Sequence, residues 1–97
     1  MNFEWDEEKR KKVIEERDVD MVYAARIFRG EVLTRADDRA DYGEERLISL
    51  GMVDDECFVV VHTEREDTTR LITAWKGGRY ERSEYKAGIA RRHRENE

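Results

Sequence analysis

The amino-acid order predicts an α+β fold: an antiparallel β-sheet of about four to five strands, with two N-terminal helices and one C-terminal helix. Two runs of β-branched and aromatic residues, Phe58–His62 and Arg70–Trp75, flank the polar segment Glu64–Thr69, which is the pattern of a β-hairpin. Phe58-Val59-Val60-Val61 is continuously apolar rather than alternating, as a strand must be when other elements cover both of its faces. Helix-forming segments precede and follow these strands, so the layers are helix on sheet.

In chain order, Asn2-Phe3-Glu4-Trp5 reads as a short strand or apolar anchor. Asp6 then caps a helix over Lys9–Arg17, with Glu7 and Glu8 at the positive end of its dipole and Val13 and Ile14 as a thin apolar stripe. Asp18 or Asp20 caps a second helix, in which Val22, Ala25, Ile27 and Phe28 recur at helical spacing until Gly30 stops it. Glu31–Thr34 is a strand, Arg35–Glu44 a loop, and Arg46–Leu50 another strand. Gly51–Glu56 is a turn into the central hairpin. Lys76-Gly77-Gly78 ends the last strand, and Arg79–Arg92 forms the closing helix, with fraying expected from about 91.

Ninety-seven residues suit one small domain, residues 1–97, and exclude two. Charged residues make up 44% of the chain, yet its apolar residues are clustered and periodic, which argues for an ordered domain with a charged surface. No apolar run approaches a membrane span, and Met1–Arg10 is acidic where a signal peptide would be basic and then apolar, so the expected location is cytoplasmic, with no membrane partner. The lone Cys57 excludes an internal disulfide and a thiolate metal cluster. Residues 1–69 hold 11 Lys/Arg against 20 Asp/Glu, and residues 70–97 hold 8 against 4, so the parts carry −9 and +4. The C-terminal part is the anion-seeking one.

Several segments, in this order, resemble the BrnT family: Phe3–Lys9, Asp41–Arg46, Val60–Arg65, Arg70–Ala74, and Glu81-Arg82 followed by Tyr85. The resemblance covers nearly the whole chain, and the set is far more specific than any of its pieces. It implies a toxin of a type II toxin–antitoxin pair, with a fold similar to the RelE ribonucleases. Such a toxin cuts RNA and forms a hetero-oligomer with a DNA-binding antitoxin of the BrnA kind.

Metal-free RNA cleavage uses the substrate's own 2′-hydroxyl as nucleophile, so the protein must move a proton and stabilise a crowded phosphorane. With that chemistry implied, His62, Arg70 and Arg82 are the expected catalytic residues, converging on one polar concavity; Arg46, Lys76, Arg79 and Tyr85 are the expected substrate contacts. No cofactor or metal is implied, and Asp37-Asp38-Asp41 reads as a solvated acidic loop. Plainer readings exist for the same residues: His62 as a structural hydrogen-bonding group, Arg70 paired with Glu44 or Glu45, and Trp75 and Tyr85 as core. Tyr80, Tyr85 and Ile89 are expected to offer the antitoxin an exposed apolar patch. The chain departs from the family pattern at Trp75, where the pattern carries arginine. Two functions therefore stay open: a ribonuclease toxin, or a binding module that keeps the fold and has lost cleavage.

Overall fold

The computed structural model describes residues 1–95. The chain runs β1 (Asn2–Glu4), α1 (Glu7–Arg17), α2 (Met21–Ala24) continuing as a 3₁₀ turn (Ala25–Arg29), β2 (Leu33–Ala36), β3 (Leu47–Val53), β4 (Glu56–Arg65), β5 (Thr68–Lys76) and α3 (Arg79–Glu95). The strands form one sheet in the order β1-β5-β4-β3-β2, so the apolar run Phe58–Val61 lies on the central strand, as its composition requires.

The sheet is mixed rather than wholly antiparallel. β2 to β5 form an antiparallel meander, but β1 pairs parallel with β5, Phe3 opposite Thr69 and Glu4 opposite Arg70. Three residues are too few for a hairpin of their own, and β1 takes the edge of β5 that β4 leaves free. The second of the two expected N-terminal helices is a single turn that tightens into 3₁₀ geometry. Val22, Tyr23, Ile27 and Phe28 are weak helix formers, and burial of Met21, Ala24, Ala25 and Ile27 on the sheet decides the local backbone.

Caps follow local chemistry. Asp6 accepts hydrogen bonds from the Glu8 and Lys9 amides and starts α1. Of the two candidate caps for the next helix, Asp20 serves, accepting from Val22, while Asp18 closes α1 in the left-handed conformation at φ 55°. The Arg10 guanidinium grips Asp20 through two bonds of 2.9 and 2.8 Å and holds its carboxyl below the usual carboxylate range.

Two apolar layers result. On one face Val53, Phe58, Val60, Leu71 and Ala74 pack against Val19, Met21, Ala24, Ala25 and Ile27. On the other, Ile48, Leu50, Cys57, Val59 and Val61 carry Leu33, Ile72, Trp75 and Tyr85. That second face is covered less completely, because α3 has no fully buried residue and lies toward β2 and β3. It is tied down at the edge: the Tyr85 hydroxyl donates to the Glu31 carbonyl, Arg92 donates to the Val32 carbonyl, and the His93 ring lies 2.7 Å from the Glu31 carboxylate. α3 is described to Glu95; residues 96–97 of the tail expected to fray from about 91 lie outside the described residues.

The expected turn at Gly51–Glu56 is shorter. β3 continues to Val53, and the reversal is Asp54-Asp55, with Asp54 at φ 54°. Gly51 is a place of close approach rather than a breaker, since a Cβ there would lie 2.6 Å from Ile27 Cβ and 3.1 Å from Val32 Cγ1. Gly51→Ala should therefore lower unfolding free energy by about 1–3 kcal/mol through overpacking. Gly30→Ala, which meets nothing within 4 Å, should be neutral or slightly stabilising. Urea titration of the two variants checks the contrast.

Candidate functional site

Strand alternation and one irregularity build a basic row on the less covered face. Thr63 of β4 stands opposite Arg70 of β5, and because Leu47 pairs with His62, Arg46 flanks Thr63 from the β3 side. Next along the sheet come Arg35, Ile48, Val61 and Thr73, then Leu33, Leu50, Val59 and Trp75. A β-bulge makes this possible. Thr73 pairs with Val61 and Leu71 with His62, so Ile72 is the extra residue. Without it, Arg70 and Trp75, five positions apart, would point to opposite faces.

Arg46, Arg65 and Arg70 interleave with two carboxylates. Glu4 lies 3.5 Å from both Arg65 and Arg70, and Glu44 lies 3.5 Å from Arg65 and 4.0 Å from Arg46. These ion pairs are long and partly exposed, and contribute little to stability. The Arg46 guanidinium also sits 4.0 Å from the Tyr42 ring centroid. Its Nε is the one buried side-chain polar atom without a hydrogen-bond partner among the described residues, an unmet donor at the head of the row.

Beside this row Trp75, Tyr80 and Arg35, with Glu81 and Glu84 of α3, line a groove floored by Ile48, Leu50 and Val59. Arg17 reaches round from α1 to within 5.3 Å of the Trp75 ring centroid and donates to the Ala74 carbonyl, and Arg39 approaches the same ring to 5.5 Å. Arg39 is held in place by Asp37, whose buried carboxylate accepts from Nε at 2.7 Å and Nη2 at 2.8 Å while its amide donates to the Arg46 carbonyl. The acidic loop is thus a clamp on an arginine rather than a solvated tether; Asp41 accepts from the Gly43 amide. No group of three or more His, Cys, Asp or Glu able to hold a metal occurs among the described residues.

The expected concavity of His62, Arg70 and Arg82 does not form. His62 is 3% exposed and faces the helical layer, its ring edge-on to Phe28 at 5.1 Å. Its Nε2 lies 2.7 Å from the Ser49 hydroxyl and its Nδ1 2.7 Å from Glu64, extending a chain that runs from Thr34 through Ser49, His62 and Glu64 to Thr69. That network stitches β2 to β5. Arg82 donates to the Asp55 carbonyl at the opposite end of β4, roughly 20 Å from His62 at strand rise. Lys76 pairs with Glu56 on the helical face, in register with Phe58, and Arg79 is exposed at the start of α3. Tyr85 packs under α3, and burial pushes its hydroxyl pKa up. Of the apolar patch expected on α3, Tyr80 is 73% exposed, whereas Tyr85 and Ile89 are half-buried. Arg70 pairs with Glu4 rather than with Glu44 or Glu45.

Arg46 and Arg70 are therefore brought together, and Arg17, Arg35, Arg39, Tyr42 and Trp75 join them from positions that charge counting had placed in the acidic part or in the core. For Arg35, strand polarity was the signal: Arg35 and Leu33 share a face once the strand is extended by two residues. For Arg17 and Arg39 the sequence carries no such signal. The arrangement offers planar donors, one of them unmet, next to exposed aromatic surface, which suits phosphate and base contacts on a flexible nucleic-acid strand.

A protein-family model described as "Ribonuclease toxin, BrnT, of type II toxin-antitoxin system" matches residues 5–81. No curated protein matches the chain.

The Arg39 guanidinium holds the Asp37 carboxyl at about 2, below its ordinary 3.8. A depressed folded-state value stabilises the protein above the unfolded value, and the effect is lost as pH falls through about 2. Asp37→Asn should thus be less stable than the parent by a constant margin above about pH 5, the margin closing as pH approaches 2. Parallel urea titrations from pH 7 to pH 2 measure it.

Proposed function

The chain belongs to the BrnT family of ribonuclease toxins of type II toxin–antitoxin systems, and from that premise we propose that it cleaves RNA without a metal ion, seating the scissile phosphate on the row Arg46–Thr63–Arg70. The observation that carries this reading is the unmet Arg46 Nε, one guanidinium of a pair that flanks Thr63 on the accessible face. Once the loosely held Arg46 side chain turns outward, a phosphate oxygen would satisfy that buried donor and displace the long contacts to Glu4 and Glu44.

In this mechanism the 2′-hydroxyl gives up its proton and attacks the adjacent phosphorus, the 5′-oxygen departs as a hydroxyl on taking a proton from water, and a 2′,3′-cyclic phosphate remains. Arg46 and Arg70 neutralise the charge that grows on the phosphorane. The half-exposed carboxylates Glu4 and Glu44 are the proton acceptors nearest to the row. His62 acts as a positioning residue, since its bonds to Ser49 and to Glu64, which in turn accepts from Thr69, hold β3, β4 and β5 in the register that aligns the two arginines. Arg82 serves the turn at Asp55 rather than the chemistry.

The partner in this reading is a BrnA-like antitoxin that presents acidic and apolar groups to the same basic face in a cytoplasmic complex; complementary charge speeds its capture and buried anchors retain it. A RelE-like arrangement of helices around the meander belongs to the same proposal. The second reading, a binding module without cleavage, draws on Trp75 at the position of the family's arginine. Arg17 and Arg39 beside that ring supply two guanidiniums there and favour retained activity.

Purified protein incubated with end-labelled single-stranded RNA should release fragments ending in cyclic phosphate, unaffected by EDTA. Arg46→Ala and Arg70→Ala should each slow cleavage by about 100-fold or more, and Arg82→Ala by less than about threefold. Loss of activity in EDTA, or equal losses in all three variants, contradicts the assignment.

A further inference from the structure

Trp75 is the element of the accessible face that phosphate chemistry leaves unexplained. It carries no charge, yet it is half-buried in a strand with part of its ring lining a groove, and two guanidiniums lie over the ring, planar groups already seated on its π surface. A purely structural tryptophan needs neither arrangement. An apolar floor of Ile48, Leu50 and Val59, aromatic walls from Trp75 and Tyr80, and Arg35, Glu81 and Glu84 at the rim, with Arg17 and Arg39 at the Trp75 ring, match what a single nucleobase with its flanking phosphates requires: a flat apolar seat, acceptors for base amino groups and cations for the phosphates.

We propose that Trp75 is a stacking platform for one unpaired base of single-stranded RNA, in a subsite completed by Tyr80, with Arg17 and Arg39 engaging the phosphates beside that base. The proposal rests on the ribonuclease reading above and specifies its substrate as unpaired RNA. Val59, opposite Trp75, and Thr63, opposite Arg70, are four residues apart on β4, roughly 13 Å at strand rise. One strand can therefore lay a base on Trp75 while a phosphate nearby occupies the Arg46–Arg70 row. A duplex cannot, because its bases already stack on one another and offer no free face. Arg39 is pre-positioned by the buried Asp37 carboxylate, and an arginine already ordered loses less freedom when it takes a phosphate.

The test uses Trp5→Phe, which leaves Trp75 as the sole tryptophan, and a 2′-O-methyl oligoribonucleotide, which lacks the nucleophile and is not cut. The single-stranded oligomer should quench Trp75 fluorescence saturably, and the same sequence as a duplex should not. In the native background Trp75→Ala should bind the strand at least about fivefold more weakly, while Trp75→Phe should keep most of the affinity because it keeps an aromatic face. A series with one abasic nucleotide moved along the strand should show one sensitive position for the parent and none for Trp75→Arg, whose charge replaces the stack. Absence of quenching while Arg46→Ala and Arg70→Ala still weaken binding overturns the subsite and leaves the ribonuclease reading standing. Absence of both binding and cleavage removes that reading together with the subsite. Quenching by an acidic antitoxin but not by RNA makes the groove a protein-docking surface and likewise overturns the proposal.

Discussion

Everything in this structure follows from β4 being buried on both sides. From Cys57 to Thr63 every residue of that strand is buried, so the sheet needs cover on each face, and a chain of 97 residues supplies it unequally. The layer of α1, α2 and the 3₁₀ turn closes one face with apolar side chains. The other has only α3, which touches β2 and β3 and leaves the β4–β5 half to long side chains. Arginines do this work well, because their stems cover apolar surface while the guanidinium stays in water. The need to cover β4 and the presence of a basic row on that face thus have the same origin.

The polar chain from Thr34 to Thr69 has the complementary role. A buried histidine and a fully buried serine are costly unless every polar atom is met, and here each contact is 2.7 or 2.8 Å. Those bonds join residues from four strands, so a slip of any one of them would leave a polar group unpaired in the core. Register is what the network specifies, and register is what brings Arg46 and Arg70 to either side of Thr63.

Charge is distributed differently in space than along the chain. Residues 70–97 hold the positive excess, but Arg79, Arg82 and Lys76 are spent on solvent, a turn carbonyl and Glu56. The accessible face draws Arg17, Arg35, Arg39 and Arg46 from the part that carries −9, where neighbouring carboxylates either clamp an arginine, as Asp37 does, or hold one loosely, as Glu4 and Glu44 do. A clamped arginine is pre-positioned and keeps its remaining donors for an anion, whereas a loosely held one can leave its carboxylate for a stronger anion.

Local sequence determined the element types, the central position of Phe58–Val61, the Asp6 cap and the membership of the BrnT family, because hydrophobic period, capping chemistry and motif order are properties of neighbouring residues. It could not show that β1 joins the sheet in parallel, that His62 turns inward under Phe28, or that Gly51 is a contact point rather than a turn; each depends on an element distant in the chain. The bulge at Ile72 is the sharpest case. In RLITAW a regular strand places Arg70 and Trp75 on opposite faces, and nothing local to those six residues says otherwise. Only pairing β5 with β4, where Leu71 must stay under the helices beside His62 and Ala74 beside Val60, forces the extra residue and turns the arginine and the tryptophan toward the same groove.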